Sequence, residues 1–201
     1  MEDSYLTLEG ISEGLYKEKG SKFIAYAHRV RTEDDVKEII QDYRKQYYDA
    51  RHWCYAYILG ADKIKFRAND DGEPSNSAGT PILNQIRSKE LTDTLVVVIR
   101  YFGGTKLGVP GLINAYKTST AEALDNAEII TEYLQKYINI RFEYPQMNDV
   151  MKVAKNFDLD FSNQTFEMDC QIKFWVREKF FDEVKSKLED VDGLTMEILS
   201  E

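Results

Sequence analysis

The feature that most constrains the fold is an apolar strand that runs directly into a glycine-rich turn. Residues 94–102, TLVVVIRYF, form the most hydrophobic segment of the chain. An apolar run of this length, rich in β-branched residues, predicts a strand at the centre of a sheet. The segment GGTKLG, residues 103–108, follows at once, and a helix pattern then continues to about Asn126. We therefore expect the first domain to be built around a strand–turn–helix unit.

The residues before and after this unit predict the remaining elements of an α+β domain. Thr32 precedes three acidic residues, a pattern typical of a helix N-cap and of a first turn that faces the positive end of the helix dipole. Apolar residues then recur at helical spacing to about Tyr48. The other predicted elements are strands at 21–30, 52–59 and 128–133, a short alternating run at 64–68 and a helix at 78–88.

From about residue 134 the pattern starts again. The predicted elements of this part are strands at 137–143, 159–168, 170–176 and 194–199 and helices at 146–157 and 178–190. Between 166 and 174 apolar residues alternate, including Met168 and Cys170, which is typical of strands with one buried face. The order βαββαβ is that of a ferredoxin-like unit. The sequence therefore predicts two domains, 1–134 and 135–201.

Charge and cysteine content exclude several classes of protein. The net charge of −9 argues against general electrostatic coating of nucleic acid, although a local basic patch remains compatible with it. No apolar stretch is long enough for a membrane span or a signal peptide, so no membrane partner is expected. Two cysteines, Cys54 and Cys170, exclude a disulfide framework and a four-cysteine zinc site. A cytoplasmic location without a disulfide is the simplest expectation.

Residues 69–81 form a polar loop that resembles a binding loop more than a core segment. Within it Asp70, Asp71 and Glu73 place three carboxylates in four positions. Oxygen ligands of this kind suit Mg²⁺, the one cofactor that the sequence suggests, and Asp70, Asp71 and Glu73 are its candidate ligands. The alternative is an acidic turn exposed to solvent, and sequence alone leaves both interpretations open.

The turn at 103–108 has two interpretations of its own. Backbone N–H groups between a strand and a helix can hold an anion, with Arg100 and Lys106 supplying positive charge. The spacing matches neither a nucleotide-binding P-loop nor a dinucleotide fingerprint, and a plain tight turn explains it equally well.

His52 and Cys54 lie two residues apart and are expected on the same face of a strand. A zinc site lacks further ligands at suitable spacing, and two side chains on one strand seldom form a nucleophile–base pair. The favoured interpretation is that Cys54 fills the core and remains unreactive, with His52 at its rim. With only His28 and His52 in the chain, a histidine base is close to excluded.

Taken in order, several motifs of the first 134 residues resemble the IMPACT family in its bacterial YigZ-type branch. The motifs are RHWCYAY (51–57), DGEPSNSAGTPIL (71–83), VVIRYFGGTKLG (97–108) and LINAY (112–116). One departure is Val109-Pro110-Gly111 with Asn114, where the family more often has a second glycine pair and an arginine. Pro110 suits the first turn of a helix. Losing the arginine weakens the case for a strong anion site.

The resemblance implies an α+β fold, with a first domain of the ribosomal protein S5 domain 2 type, whose sheet is covered by helices on one face. It implies a ferredoxin-like second domain. These two folds, in this order, are similar to two adjacent C-terminal domains of the ribosomal translocase. Eukaryotic relatives act in translational control by binding a partner of a stress kinase through further domains, so the kinase circuit is not carried over to this sequence.

The resulting hypothesis is a non-catalytic, translation-linked binding protein that contacts RNA, the ribosome or a regulatory protein. The 70–81 and 103–108 loops are expected to meet on one surface. The candidate binding residues are Arg51, His52, Asp71, Glu73, Ser75, Thr80, Arg100, Tyr101, Gly103, Gly104, Lys106 and Gly108. An RNA patch would comprise Arg51, Arg67, Arg100 and Lys106, with Tyr101 or Phe102 free to stack.

Two alternatives remain open at this point. One is an enzyme acting on a phosphorylated or nucleotide substrate, with a metal at Asp71 and Glu73. The other is a protein-interaction module that uses the ferredoxin-like sheet face. The enzyme alternative rests on fold analogy, which is a poor guide to function.

Overall fold

The structure, a computed structural model, describes residues 3–166 and 169–199. The chain divides into two compact units. The first unit comprises residues 5–132, and the second unit joins residues 3 and 4 to residues 133–199. Residues 167 and 168, within the predicted strand 159–168, lie outside the described residues.

The first unit is built on a five-stranded antiparallel sheet with three helices. Its elements, in chain order, are β1 (Ser4–Glu9), β2 (Ile11–Glu18), β3 (Ser21–Arg29), α1 (Glu33–Gln46), β4 (His52–Leu59), β5 (Lys65–Asn69), α2 (Gly79–Ser88), β6 (Thr94–Tyr101), α3 (Gly108–Asp125) and β7 (Glu128–Tyr133). The strand order in the large sheet is β2-β3-β6-β4-β5, and β1 pairs with β7 separately. The predicted central strand is confirmed, because β6 lies in the middle of this sheet.

Helices cover both faces of the large sheet. Helices α2 and α3 pack on the face that carries Val96 and Val98 of β6. Helix α1 packs on the opposite face through Val36 and Ile40. The expectation of helices on one face only is therefore wrong. The physical reason is that the central strands are apolar on both faces, so each face needs a cover.

Helix α1 begins where the sequence predicts. The Thr32 hydroxyl accepts a hydrogen bond from the Asp35 backbone N–H at 3.1 Å, and the Asp35 carboxylate accepts from the Thr32 N–H at 2.8 Å. This reciprocal capping box satisfies two N–H groups that would otherwise lack partners. The predicted N-cap at Thr32 is confirmed. Strands β1 and β2, in contrast, have no counterpart among the predicted elements.

The second unit has a four-stranded antiparallel sheet with two helices. Its elements are β8 (Gln135–Glu143), α4 (Met147–Asn156), β9 (Asp160–Phe166), β10 (Asp169–Arg177), α5 (Phe181–Glu189) and β11 (Thr195–Leu199). The strand order is β11-β8-β10-β9. The core lies between the sheet and the helices and includes Ile140, Cys170 and Phe174. The predicted order of elements in this part of the chain is confirmed.

No helix within the described ranges is long and apolar enough to cross a membrane.

Candidate functional site

Four connecting segments leave the five-stranded sheet of the first unit at the same end. Lys22, at the start of β3, lies opposite Tyr101 at the end of β6, and His52, at the start of β4, lies opposite Arg100. Asn69, the last residue of β5, lies opposite Tyr55. The antiparallel register therefore brings the β2–β3 turn, the 102–107 segment, the residues before β4 and the loop after β5 to one end of the sheet. We call this end the loop end.

A buried ion pair anchors the 70–78 loop at the loop end. Glu73 Oε1 accepts a hydrogen bond from Arg100 Nη1 at 2.5 Å and from the Tyr116 hydroxyl at 2.8 Å. The side chains of Glu73 and Arg100 are only 4% and 7% exposed. His52 Nε2 lies 3.8 Å from the same carboxylate oxygen. Burial, reinforced by the neighbouring Cys54 and Glu73, holds the pKa of Tyr116 well above its usual value, so its hydroxyl keeps the proton that it donates.

The two aspartates of the loop are also held by internal partners. The Asp71 carboxylate accepts hydrogen bonds from Arg44 Nη2 at 2.6 Å and from the backbone N–H of Trp53 at 2.8 Å. Asp70 accepts from the backbone N–H groups of Asn76, Ala78 and Gly79 at 2.8–3.0 Å. Among the described residues, no three His, Cys, Asp or Glu side chains are grouped so that they could hold a metal ion. The candidate Mg²⁺ ligands thus point to separate partners.

Cys54 lies beside this network, in the core below α2 and α3. Its thiol donates to the Asp70 carbonyl oxygen at 3.0 Å and lies 3.3 Å from the Tyr116 hydroxyl. His52 is partly exposed, and its Nδ1 lies 2.8 Å from the Asp71 carbonyl oxygen. The prediction of a core cysteine with a histidine at its rim is confirmed. Cys54 and Cys170 are both buried free thiols.

We expect Cys54 to react very slowly with a thiol reagent in the native protein. Burial raises the pKa of the Cys54 thiol far above its usual value, and the thiolate is the reactive form. Native and urea-unfolded protein should be labelled side by side. Ser75→Cys supplies an exposed cysteine on the same loop as a control. Labelling of Cys54 as fast as that of the new cysteine would contradict the assignment.

Positive charge at the loop end is distributed differently from negative charge. Five exposed cations have no ion pair or side-chain hydrogen bond to the residues that the structure describes: Lys17, Lys19, Lys22, Arg51 and Lys106. The acidic side chains nearby are engaged, since Glu18 accepts from Tyr16 and Asp49 from Tyr101. Phe102, the first residue of the 102–107 segment, is 48% exposed. The loop end therefore offers unpaired cations and an aromatic ring.

The β2–β3 turn and the 103–108 turn are in direct contact. The Gly103 N–H donates to Ser21 Oγ at 3.1 Å. A Cβ atom on Gly103 would stand 1.9 Å from the carbonyl carbon of Gly20, so only glycine permits this approach. Lys19 and Lys106 are consequently carried by two turns that touch each other through their backbones.

The structure places the predicted site residues in three situations. His52, Asp71, Glu73 and Arg100 belong to the buried network, while Arg51, Ser75, Gly103, Gly104 and Lys106 are exposed. Thr80 donates to Asn76 Oδ1 from the first turn of α2, and Gly108 begins α3. The Tyr101 hydroxyl donates to Asp49, and burial together with this hydrogen bond raises the pKa of Tyr101 to about 12. All of these residues except Thr80, which lies in the first turn of α2, belong to the four segments of the loop end or adjoin them directly.

The predicted RNA patch needs correction at two positions. Arg100 is buried under Glu73 and cannot reach a ligand. Arg67 lies opposite Tyr57, which packs with α1, whereas Arg100 faces α2 and α3. The four predicted cations therefore do not form one surface. The sequence also places three further lysines, Lys17, Lys19 and Lys22, around the turn residue Gly20.

Tyr116 was also missed as a partner of the site. The helix pattern identifies it as a core residue, and its ring is indeed buried against Phe23. Nothing in the pattern shows that its hydroxyl reaches a loop carboxylate 43 residues earlier in the chain.

These observations define a two-unit α+β protein whose first unit exposes cations at one end of its sheet. The family model of the Impact N-terminal domain matches residues 19–124. The chain is 34% identical over 176 residues to the IMPACT family member YvyE of Bacillus subtilis, which spans 88% of this chain and 81% of that protein. It is 28% identical over 189 residues to the IMPACT family member YigZ of Escherichia coli, spanning 90% of each. The chain belongs to the IMPACT family.

One solved structure has a similar fold. It is described as the crystal structure of a hypothetical protein and is similar to this chain with a TM-score of 0.73 at 25% identity. The similarity spans 100% of this chain and 98% of that one. The likeness therefore extends over both units.

Proposed function

We propose that this protein is a non-catalytic RNA-binding protein linked to translation, and that the loop end contacts the RNA backbone. One observation carries the proposal: at the loop end the acidic side chains are engaged internally, while Lys17, Lys19, Lys22, Arg51 and Lys106 are exposed and unpaired. Phosphate groups are the ligands that such cations favour. In a chain of net charge −9, this local asymmetry supports an electrostatic contact with RNA that is confined to the loop end.

The link to translation rests on the family and on the two folds. We assign the first unit to the ribosomal protein S5 domain 2 type and the second to the ferredoxin-like type. The strand order β11-β8-β10-β9 and the element order βαββαβ support the second assignment. Two folds of these types, in this order, are similar to adjacent domains of the ribosomal translocase, which acts on the ribosome, a ribonucleoprotein.

The enzymatic alternative has less support. It needs Asp71 and Glu73 as metal ligands, but Arg44 and Arg100 already neutralise these two carboxylates. A metal at this position would have to displace both guanidinium groups.

Reversing two charges at the loop end is expected to weaken RNA binding at least tenfold. Lys19→Glu with Lys106→Glu removes one cation from each of the two touching turns. Each lost phosphate contact lowers the dependence of log affinity on log salt by about 0.7 for single strands, so the slope should fall by about 1.4. Titration of a labelled single-stranded RNA at several salt concentrations, read by anisotropy, measures both quantities.

Lys37→Glu with Lys89→Glu is the matched control. It makes the same change in net charge at two lysines that are paired with Asp34 and Asp125 and lie outside the four segments of the loop end. Equal weakening by the two double variants would show that net charge, not the loop end, governs binding. Absence of measurable RNA binding by the unaltered protein would end the proposal.

A further inference from the structure

The sheet of the second unit has a second face that its hydrophobic core does not use. Residues Ile138, Ile140 and Phe142 of β8 point toward α4 and α5, as do Ile172 and Phe174 of β10. Because side chains alternate along a strand, the intervening residues occupy the opposite face. On β8 and β10, the two central strands, these are Tyr137, Asn139, Arg141, Gln171, Lys173 and Trp175. We call this surface the open face.

Two aromatic side chains, which we call the platform, pack against each other at one end of the open face, with their rings inclined by 47°. Tyr137 lies directly opposite Trp175 in the strand register, and their rings are in contact. Both residues are partly exposed. Aromatic rings on adjacent central strands of a four-stranded sheet are the arrangement on which unpaired nucleotide bases stack.

Amides and cations continue the open face away from the platform. Gln171 Nε2 donates to Asn139 Oδ1 at 2.8 Å, and the partly exposed Gln171 amide keeps further donor and acceptor positions, whereas Asn139 is only 7% exposed. Lys173 lies opposite Asn139, and Arg141 lies opposite Gln171. The central part of the face therefore combines groups that stack on bases, groups that hydrogen-bond to base edges and groups that bind phosphate.

Acidic residues lie on the edge strands of the same face. Glu197 of β11 is opposite Asn139, and Asp160 of β9 is opposite Trp175. They restrict the cationic strip to β8 and β10, which is too narrow for the two phosphate backbones of a duplex. A ligand that gains most of its affinity from stacking, and little from phosphate contacts, fits this distribution.

We propose that the open face binds a short single-stranded RNA segment, with bases stacked on Trp175 and Tyr137. The inference takes from the proposed function only that the ligand is RNA, and it locates a second, chemically distinct contact in the other unit. Binding at the loop end depends on cations and weakens with salt, whereas binding at the open face depends on stacking and persists in high salt.

The test uses the two tryptophans of the full chain, Trp53 and Trp175. In a Trp53→Phe variant, Trp175 is the sole tryptophan, and a single-stranded uridine oligonucleotide should quench its emission saturably at high salt. In a separate anisotropy titration at high salt, Trp175→Ala should weaken oligonucleotide binding about tenfold or more. Tyr144→Ala removes a 70% exposed aromatic residue of the same unit outside the sheet and should have no effect.

The outcomes separate this inference from the proposed function. Unquenched Trp175 emission, or equal affinity of Trp175→Ala and unaltered protein, overturns the inference, and a protein partner would then become the occupant to test. The quenching measurement is made on a chain with Trp175 intact, so a folding defect in Trp175→Ala cannot imitate success. If Lys19→Glu with Lys106→Glu leaves low-salt binding unchanged while quenching persists, the proposed loop-end contact fails and the open-face inference stands.

Discussion

Glu73→Ala should destabilise the first unit by about 3–5 kcal/mol, because it leaves the Arg100 guanidinium buried without its counter-charge. The Tyr116 hydroxyl loses its acceptor at the same time. Urea unfolding measures the effect. Trp53 lies in the first unit, so its emission in a Trp175→Phe background reports that unit alone.

Asp42→Ala is the control for this experiment. It also removes a carboxylate from an ion pair, but Asp42 and Lys45 are both exposed, and such pairs contribute less than about 1 kcal/mol. A Glu73→Ala protein within 1 kcal/mol of the unaltered one would mean that the buried pair does not brace the loop.

Gly103→Ala is expected to separate the β2–β3 turn from the 103–108 turn. The added Cβ would overlap the backbone at Gly20, which cannot be relieved by a rotamer change. We expect a loss of about 3 kcal/mol in stability and a loss of RNA affinity comparable with that of the double charge reversal. Thermal unfolding and anisotropy titration report the two effects.

Gly104→Ala distinguishes a steric effect from general disturbance of the turn. Gly104 has a positive φ of 88° but open space around its Cβ position, so alanine there costs only backbone strain, about 1–2 kcal/mol. Equal effects of the two substitutions would show that the close approach to Gly20 is unimportant.

Much of the fold could be predicted because local patterns and tertiary packing agree. Strand β6 is apolar on both faces because it lies in the middle of a sheet with helices on each side. Helix α1 begins at Thr32 because the capping groups are local in sequence. In such cases the residues that define an element are also those that stabilise it.

Strand β2 could not be predicted, for a reason that the structure makes clear. Its most buried position is Gly14, where a Cβ would lie 2.4 Å from backbone atoms of Ser119 and Ala123 in α3. The strand faces its helix with hydrogen atoms in place of an apolar side chain, so no alternating pattern arises. The strand is specified by proximity to a helix more than 100 residues later in the chain.

The candidate site, like the fold, could be predicted only in part. The sequence identified the polar 70–81 loop and the glycine turn, since both contain residues unsuited to a core. It could not show that Glu73 and Arg100, 27 residues apart, neutralise each other, because the pairing of β4 with both β5 and β6 brings them together. Glu73 and Arg100, which the sequence suggested as binding residues, therefore pair with each other. The lysines around the β2–β3 turn are instead the cations without a partner among the described residues.

The hydrogen bonds that the Asp70 carboxylate accepts lower the entropic cost of binding a partner at this loop. The Asp70 side chain accepts hydrogen bonds from Asn76, Ala78 and Gly79, and these bonds hold the end of the ten-residue segment 70–79 against its first residue. The exposed tip at Ser75 and Asn76 is thereby ordered before any ligand arrives. A partner that contacts this tip gives up little conformational entropy, so even a small interface there can produce measurable affinity.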